Sequence, residues 1–391
     1  MASVAGLVDI RSRLEGRVEE FVSDLGELVG IDSGTDDKAG NDRVCGWLRE
    51  RYRALGASIE VRSHDKYGDA FVARWTGGGR GRVLLLGHTD TVYPRGTAEA
   101  RPLREEGDRA YGPGAADMKG GDLLMVYALE TLFGLGWNDF ATIEIVHNTD
   151  EEVGSPSSRE IVRERSREAD AVLVLEAGRE NGDIVSARKG IIMADVAVVG
   201  KAAHAGVNHD RGRSAALALA RLVVDLEGIN GTMPGVTLNV GTMHAGGRVN
   251  VVPDRGECRL EVRAPDRDSL DAAVARVREI LAEAPIEGTE VESEIEVEHS
   301  PMHPSSESRR LIDLAKSLSR ELGTELNDQA TGGASDGNTA AEAGRPVIDG
   351  LGPVGGGAHS PGEYVLVPSI AFRGALLAGL IQAVGRGDWG R

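Results

Sequence analysis

His88 and Asp90 stand two residues apart at the end of an apolar run, Val83–Leu84–Leu85–Leu86–Gly87–His88–Thr89–Asp90–Thr91–Val92. Such a run reads as a strand buried on both faces of a parallel sheet. In open α/β sheets, ligands bind just outside the carboxyl ends of the strands. A His placed there can ligate a metal, and an Asp beside it can fix the ring's tautomer and orientation. The alternative is a capped strand end with a solvated His and Asp. Three further segments repeat the pattern. A strand at Thr142–His147 runs into Asp150–Glu151–Glu152–Val153–Gly154, a strand at Ala171–Leu175 runs into Glu176, and the loop Gly112–Gly121 carries Asp117 into a helix. Taken singly, Asp117 reads equally as an N-cap, and Glu151–Glu152 as a solvated acidic loop. Gathered at one sheet edge, like charges repel unless cations neutralise them. Imidazole with carboxylates at an open site suits zinc or a similar divalent ion. With Glu151 and Glu152 pointing different ways, one can ligate while the other accepts a proton from metal-bound water.

The elements that must hold these residues follow from periodicity. Helices are expected at Val8–Leu28, Asn41–Leu55, Gly120–Leu132 and Ser158–Arg167, with strands at Ser58–Arg62, Ala70–Trp75 and Arg82–Leu86 besides those above. From about Gly190 the pattern changes to half-exposed antiparallel strands. Strand Ile191–Val199, helix Ser214–Leu226, strands Val236–Thr242 and Gly256–Arg263, helix Leu270–Ala284 and the acidic strand Glu290–Glu298 give a β-α-β-β-α-β order, a ferredoxin-like α+β unit of two helices on a four-stranded sheet. Beyond Met302 the α/β pattern returns, with helices at Ser306–Leu322 and Ser369–Val384 around Gly-rich loops. The expected organisation is a catalytic domain in two parts, 1–188 and 302–391, with 189–301 inserted between them.

Composition sets the bounds. At 391 residues, with 41% hydrophobic and 27% charged, the chain has ample core for two domains. A formal charge of −18 argues against a nucleic-acid-binding surface. Cys45 and Cys258 are distant, each in an apolar context, and read as buried free thiols rather than a disulfide or a cysteine metal site. Neither a secretory signal nor an apolar run of membrane-spanning length is evident, so a cytoplasmic protein away from membranes is expected. A dinucleotide-binding oxidoreductase is disfavoured because no GxGxxG follows the first strand.

These motifs together, with Gly357–Ala358–His359–Ser360, make the chain resemble the co-catalytic dizinc metallopeptidase family of glutamate carboxypeptidase, aminoacylase and succinyl-diaminopimelate desuccinylase, most of all its bacterial glutamate carboxypeptidase-like members. The resemblance spans nearly the whole chain. It implies a three-layer αβα zinc-peptidase domain with an inserted lid and dimerisation domain, two zinc ions per subunit that cobalt or manganese can replace, and a homodimer joined through the insert. By position it implies that His88 and Glu176 hold one zinc, that Glu152 and His359 hold the other, and that Asp117 bridges both. Asp90 would hold the ring of His88, and Glu151 would be the general base that generates a metal-bound hydroxide. In the insert, His204 would polarise the substrate carbonyl, often across a dimer, while Asn250 and Arg263 would bind substrate carbonyl or carboxylate. Gly333 and Ser335 lie in a loop able to offer backbone donors to a carboxylate, or to serve as a tight connection. The implied reaction is hydrolysis of an amide bond next to a free carboxylate, in a small peptide or an N-acyl amino acid. One departure bears on substrate. Where glutamate-releasing relatives carry Arg-Pro, this chain reads Ser300–Pro301, which leaves glutamate specificity open and keeps an N-acyl-amino-acid deacylase as the alternative. A non-catalytic metal-binding module is the remote reading, and a binder has no need of Glu151.

Overall fold

The computed structural model describes residues 6–387 and Trp389. The chain divides into two compact units, one comprising Met1–Ser186, Pro304–Ala330 and Ser335–Arg391, the other Ala187–His303 and Thr331–Ala334.

The first unit is built on a six-stranded sheet. Its strands are β1 (Ser58–Arg62), β2 (Ala70–Thr76), β3 (Arg82–His88), β4 (Thr142–Asn148), β5 (Ala171–Val174) and a short strand Val347–Ile348. They lie in the order β1-β2-β4-β3-β5-(Val347–Ile348). The sequence suggests a parallel sheet, and β3 does run parallel to both its neighbours, whereas β2 is antiparallel to β4 and β1 antiparallel to β2. The result is a parallel centre with an antiparallel edge. Apolar residues alternate between two buried faces. Val83 and Leu85 join the main core with Ile143, Ile145, Leu173 and the helices Gly120–Gly134 and Ser369–Arg386, while Leu84 and Leu86 are buried on the opposite face, towards helix Arg159–Glu168. Covering both faces makes a three-layer α/β unit.

Helix Gly120–Gly134 is apolar on every side and almost wholly buried, as a helix inside a core must be. Its start approaches the sheet closely. A Cβ at Gly121 would lie 2.0 Å from the Leu175 carbonyl oxygen, so this position tolerates only glycine. The single N-terminal helix expected over Val8–Leu28 is two, Leu7–Glu15 and Val18–Val29, broken at Gly16–Arg17. Gly16 closes the first helix with its N–H on Ser12 O, because a glycine gains least from continuing a helix.

The second unit is an antiparallel sheet of β6 (Gly190–Val199), β7 (Thr237–Ala245), β8 (Arg255–Ala264) and β9 (Glu290–His299), in the order β7-β8-β6-β9. Helices Ala215–Glu227 and Arg267–Leu281 complete the β-α-β-β-α-β order. Ile192, Ala194, Val196 and Val198 of β6 meet Leu219, Leu222 and Leu270 in one core. The two edge strands differ. On β9, Glu290, Glu292, Glu294 and Glu296 are exposed, whereas Gly241–Ala245 of β7 is exposed and carries no Asp, Glu, Lys or Arg. Cys45 and Cys258 are both buried and free. Among the described residues, no helix is long and apolar enough to cross a membrane.

Candidate metal centre

Parallel register aligns the chemistry. Pairing of His88 with Asn148 and of Leu86 with Val174 puts the carboxyl ends of β3, β4 and β5 side by side. His88 ends β3, the turn Glu151–Val153 follows β4, and Glu176 follows β5. Asp117 arrives from a separate loop. Helix Gly120–Gly134 has no side-chain cap, so the capping role open to Asp117 in the sequence is not taken, and the Asp117–Met118 peptide is cis. Instead its two oxygens face two different rings. His88 Nε2 is 3.2 Å from Asp117 Oδ1, and His359 Nε2 is 3.3 Å from Asp117 Oδ2. His88 Nε2 also stands 3.5 Å from Glu176 Oε1 and 4.0 Å from Glu151 Oε2, while His359 Nε2 stands 3.1 Å from Glu152 Oε2. His359 adopts a left-handed φ of 61°, a conformation that non-glycine residues hold only where surrounding structure imposes it.

The electrostatics describe an acidic nest. Burial opposes protonation of His88, yet Asp117, Asp90 and Glu176 outweigh it and hold its pKa well above the ordinary value. Asp117 and then Glu152 lift His359 to about 10. Burial acts against the Asp117 carboxylate, but His359 and His88 overcome it and keep the group well below the usual range. Burial, reinforced by Glu176, Asp336 and Glu152 against the pull of His88, pushes Glu151 far up. Burial likewise raises Glu152 to about 7. Glu152 Oε1 is buried without a hydrogen-bond partner, a costly state for a carboxylate oxygen. Donor atoms of His88, Glu151 and Glu176 lie within 4.8 Å of one another, as do those of His88, Asp117 and Glu152. Closely spaced oxygens and imidazole nitrogens, one oxygen orphaned, fit divalent cations.

A second layer of carboxylates holds these groups. Asp90 was expected to orient His88. His88 Nδ1 lies 3.0 Å from the Asp90 carbonyl oxygen and 3.4 Å from its carboxylate. That carboxylate also accepts the N–H groups of Glu151 (3.1 Å) and Glu152 (3.2 Å) and the Thr35 hydroxyl (2.8 Å). Two further acids escape sequence reasoning. Glu363 accepts the N–H groups of Gly114, Ala116 and Asp117. Asp336, raised to about 7 by burial, accepts from Ser155 and Asn148. Only their presence near glycine-rich motifs marks them in the sequence, and that signal is weak.

Ser335 takes a different place from the one expected. It is 1% exposed and caps helix Asp336–Glu342; its hydroxyl accepts from Gly337 N–H and donates to Asp349, its N–H binds Asn338 Oδ1, and its carbonyl accepts Asn338 N–H. Its polar groups are all engaged inside the fold, which leaves none for a substrate. In the second unit, His204 is exposed on a two-residue strand paired with Val251–Val252, and Asn250 is exposed beside it. The Arg263 guanidinium binds Glu261 through Nε and Nη2 and donates to Gly332 O at 2.9 Å. Arg188, not singled out in the sequence, is buried and donates to the carbonyls of Gly333 and Ala334. Beside Glu152, a recess of about 560 Å³ is walled by Thr35, Asp36, Val92, Tyr93, Pro94 and Val153.

A model of peptidase family M20/M25/M40 matches residues 84–383. Carboxypeptidase G2 of Pseudomonas sp. strain RS-16 is 32% identical over 372 residues, 94% of this chain and 89% of its own. Succinyl-diaminopimelate desuccinylase of Burkholderia cenocepacia strain HI2424 is 30% identical over 341 residues, 82% of this chain and 88% of its own. A solved tripeptidase from Staphylococcus aureus shares the fold with a TM-score of 0.81 at 23% identity, over 94% of this chain and 99% of its own. With a match running from β3 to the last helix, the chain belongs to peptidase family M20/M25/M40 and is a metallohydrolase acting on amide bonds.

Proposed function

We propose that this enzyme is a dizinc exopeptidase of the glutamate carboxypeptidase type, cleaving the amide bond next to a free carboxylate. The observation that carries the reading is Asp117, whose two oxygens face His88 and His359 at 3.2 Å and 3.3 Å. A carboxylate so placed suits a bridge between two cations. His88 and Glu176 would hold one ion, Glu152 and His359 the other, with Asp117 shared. Zinc bound there supplies Lewis acidity, making water easier to deprotonate and the carbonyl more electrophilic.

The chain's own groups supply the proton traffic. Glu151 takes a proton from water as the water oxygen attacks the carbonyl carbon. It then delivers that proton to the amide nitrogen as the C–N bond breaks. His204 would polarise the carbonyl, while Asn250, Arg263 and Gly333 would contact carbonyl or carboxylate; these assignments rest on resemblance. The recess beside Glu152 has the size of a small-molecule subsite and would receive the acyl side of the substrate. A homodimer joined through the second unit and a cytoplasmic location complete the reading. Ser300, where glutamate-releasing relatives carry Arg, leaves glutamate specificity open and keeps a second candidate, an N-acyl-amino-acid deacylase working with the same residues.

The test is Glu151→Gln, assayed with wild type on folyl-glutamate, dipeptide and N-acyl-amino-acid panels. Metal content should be unchanged and kcat should fall by about 10² to 10⁴, the usual worth of a general base. Undiminished turnover by the variant would remove Glu151 from its role, and the preferred panel decides between peptidase and deacylase.

A further inference from the structure

Glu363 is almost fully buried at 2% exposure and lies four residues past His359, yet its side chain is directed to the loop of Asp117. Oε1 accepts the N–H groups of Ala116 and Asp117, both at 2.9 Å, and Oε2 accepts Gly114 N–H at 3.0 Å. Three main-chain donors within four residues are thereby fixed by one carboxylate. Oε2 also meets the Tyr93 hydroxyl at 2.6 Å, and that hydroxyl is 2.9 Å from the carbonyl oxygen of Ser360, the residue after His359. Tyr93 has one proton to share between two acceptors. Tyr93 belongs to the loop leaving β3, so three segments meet here: the Asp117 loop, the His359 loop and the chain beyond His88 and Asp90.

We propose that Glu363 and Tyr93 are positioning residues that set the separation of Asp117 from His359, and so govern the half-site of Glu152, His359 and Asp117 in particular. The proposal rests on the dizinc reading above. The physical grounds are unequal support. His88 is buried, ends a strand paired on both sides and has Asp90 against its ring. His359 is 55% exposed, stands outside any strand or helix and adopts a left-handed backbone. The contact of Ser360 O with Tyr93 ties that loop to the Glu363 bracket. Removing the hydroxyl therefore frees the His359 loop and takes one bond from Glu363 but leaves the three N–H bonds that hold the Asp117 loop, whereas altering Glu363 disturbs Asp117 itself, which both half-sites share.

The experiment is a stepwise cobalt titration of metal-depleted enzyme, followed by visible absorption and by competition with a chelator, on wild type, Tyr93→Phe and Glu363→Gln. Wild type should take up two equivalents. Tyr93→Phe should weaken the second by about 10- to 100-fold, the usual worth of a residue supporting a ligand, change the spectrum of that equivalent, and leave the first within twofold. Glu363→Gln should weaken both. Tyr93→Phe removes a single oxygen and its folding is checked by thermal melting, so it decides the matter even if Glu363→Gln fails to fold. Equal weakening of both steps in Tyr93→Phe, or an unchanged second step, overturns the proposal. Wild type that binds fewer than two ions overturns the dizinc reading instead.

Discussion

Asp90→Asn isolates the work of one buried carboxylate. Asp90 is fully buried and accepts three hydrogen bonds, from Thr35 Oγ1 at 2.8 Å, Glu151 N–H at 3.1 Å and Glu152 N–H at 3.2 Å. Asparagine has nearly the same shape but turns one acceptor oxygen into a donor. Whichever way the amide lies, one of the two main-chain N–H groups then faces another donor. Leaving a buried donor unsatisfied costs about 1–3 kcal/mol. Losing the charge from the remaining bonds costs a further ~1 kcal/mol, since bonds to charged groups are worth roughly twice neutral ones. The expected loss of stability is therefore on the order of 2–4 kcal/mol. The same substitution loosens the turn carrying Glu151 and Glu152, so affinity for a divalent metal ion should fall about 10- to 100-fold. Urea unfolding of the metal-free protein measures the first effect and chelator competition the second. A variant with the wild-type urea midpoint and wild-type metal affinity would refute the reasoning. Thr35→Val, which removes one bond and no charge, should lose only about 1 kcal/mol.

Two further outcomes follow from burial and charge. Gly87→Ala would place a methyl carbon 2.3 Å from Asp122 Oδ1 and 2.6 Å from Met125 Cε inside the core, so stability should drop by about 1–3 kcal/mol; a chemical melt equal to wild type contradicts the packing described. Stability of the metal-free enzyme should fall as pH rises from about 5 to 8, because burial holds Glu152 and Asp336 at about 7. Below the unfolded carboxylate values both states are protonated, and above the folded values the fold holds charges that the unfolded chain ionises more easily. His359, lifted to about 10, adds stability present below its unfolded value and lost as pH rises further. A divalent cation held by the ionised carboxylates would weaken or reverse the slope at saturation. Thermal melting across this range with and without zinc checks it, and a flat metal-free profile counts against the acidic nest.

Much of the site was legible because it is written in strand periodicity. Apolar runs before His88, Asp150 and Glu176 fix three strands, and parallel register then brings their ends together without further information. The β-α-β-β-α-β unit was legible for the same reason, its alternation matching one buried face. The second layer was not. Glu363 acts on main-chain N–H groups of residues 114–117, some 250 positions earlier, and a carboxylate that binds backbone leaves no partner residue type to search for. Ser335 misled in the opposite sense, since a serine before a helix reads alike as ligand contact and as cap. The break at Gly16–Arg17 fell inside an unbroken apolar periodicity, which continues across both helices.

The unequal edges of the second unit's sheet constrain how copies of this chain can add to one another. A strand edge is a template for further strands. Four glutamates repel an incoming strand at β9, while β7, with no Asp, Glu, Lys or Arg over Gly241–Ala245, leaves its outer backbone edge open. Two copies that join at β7 would turn only acidic edges outward, so the growing sheet carries its own chain terminator. Association at β7 would then end with a pair, and the acidity of β9 would set that limit.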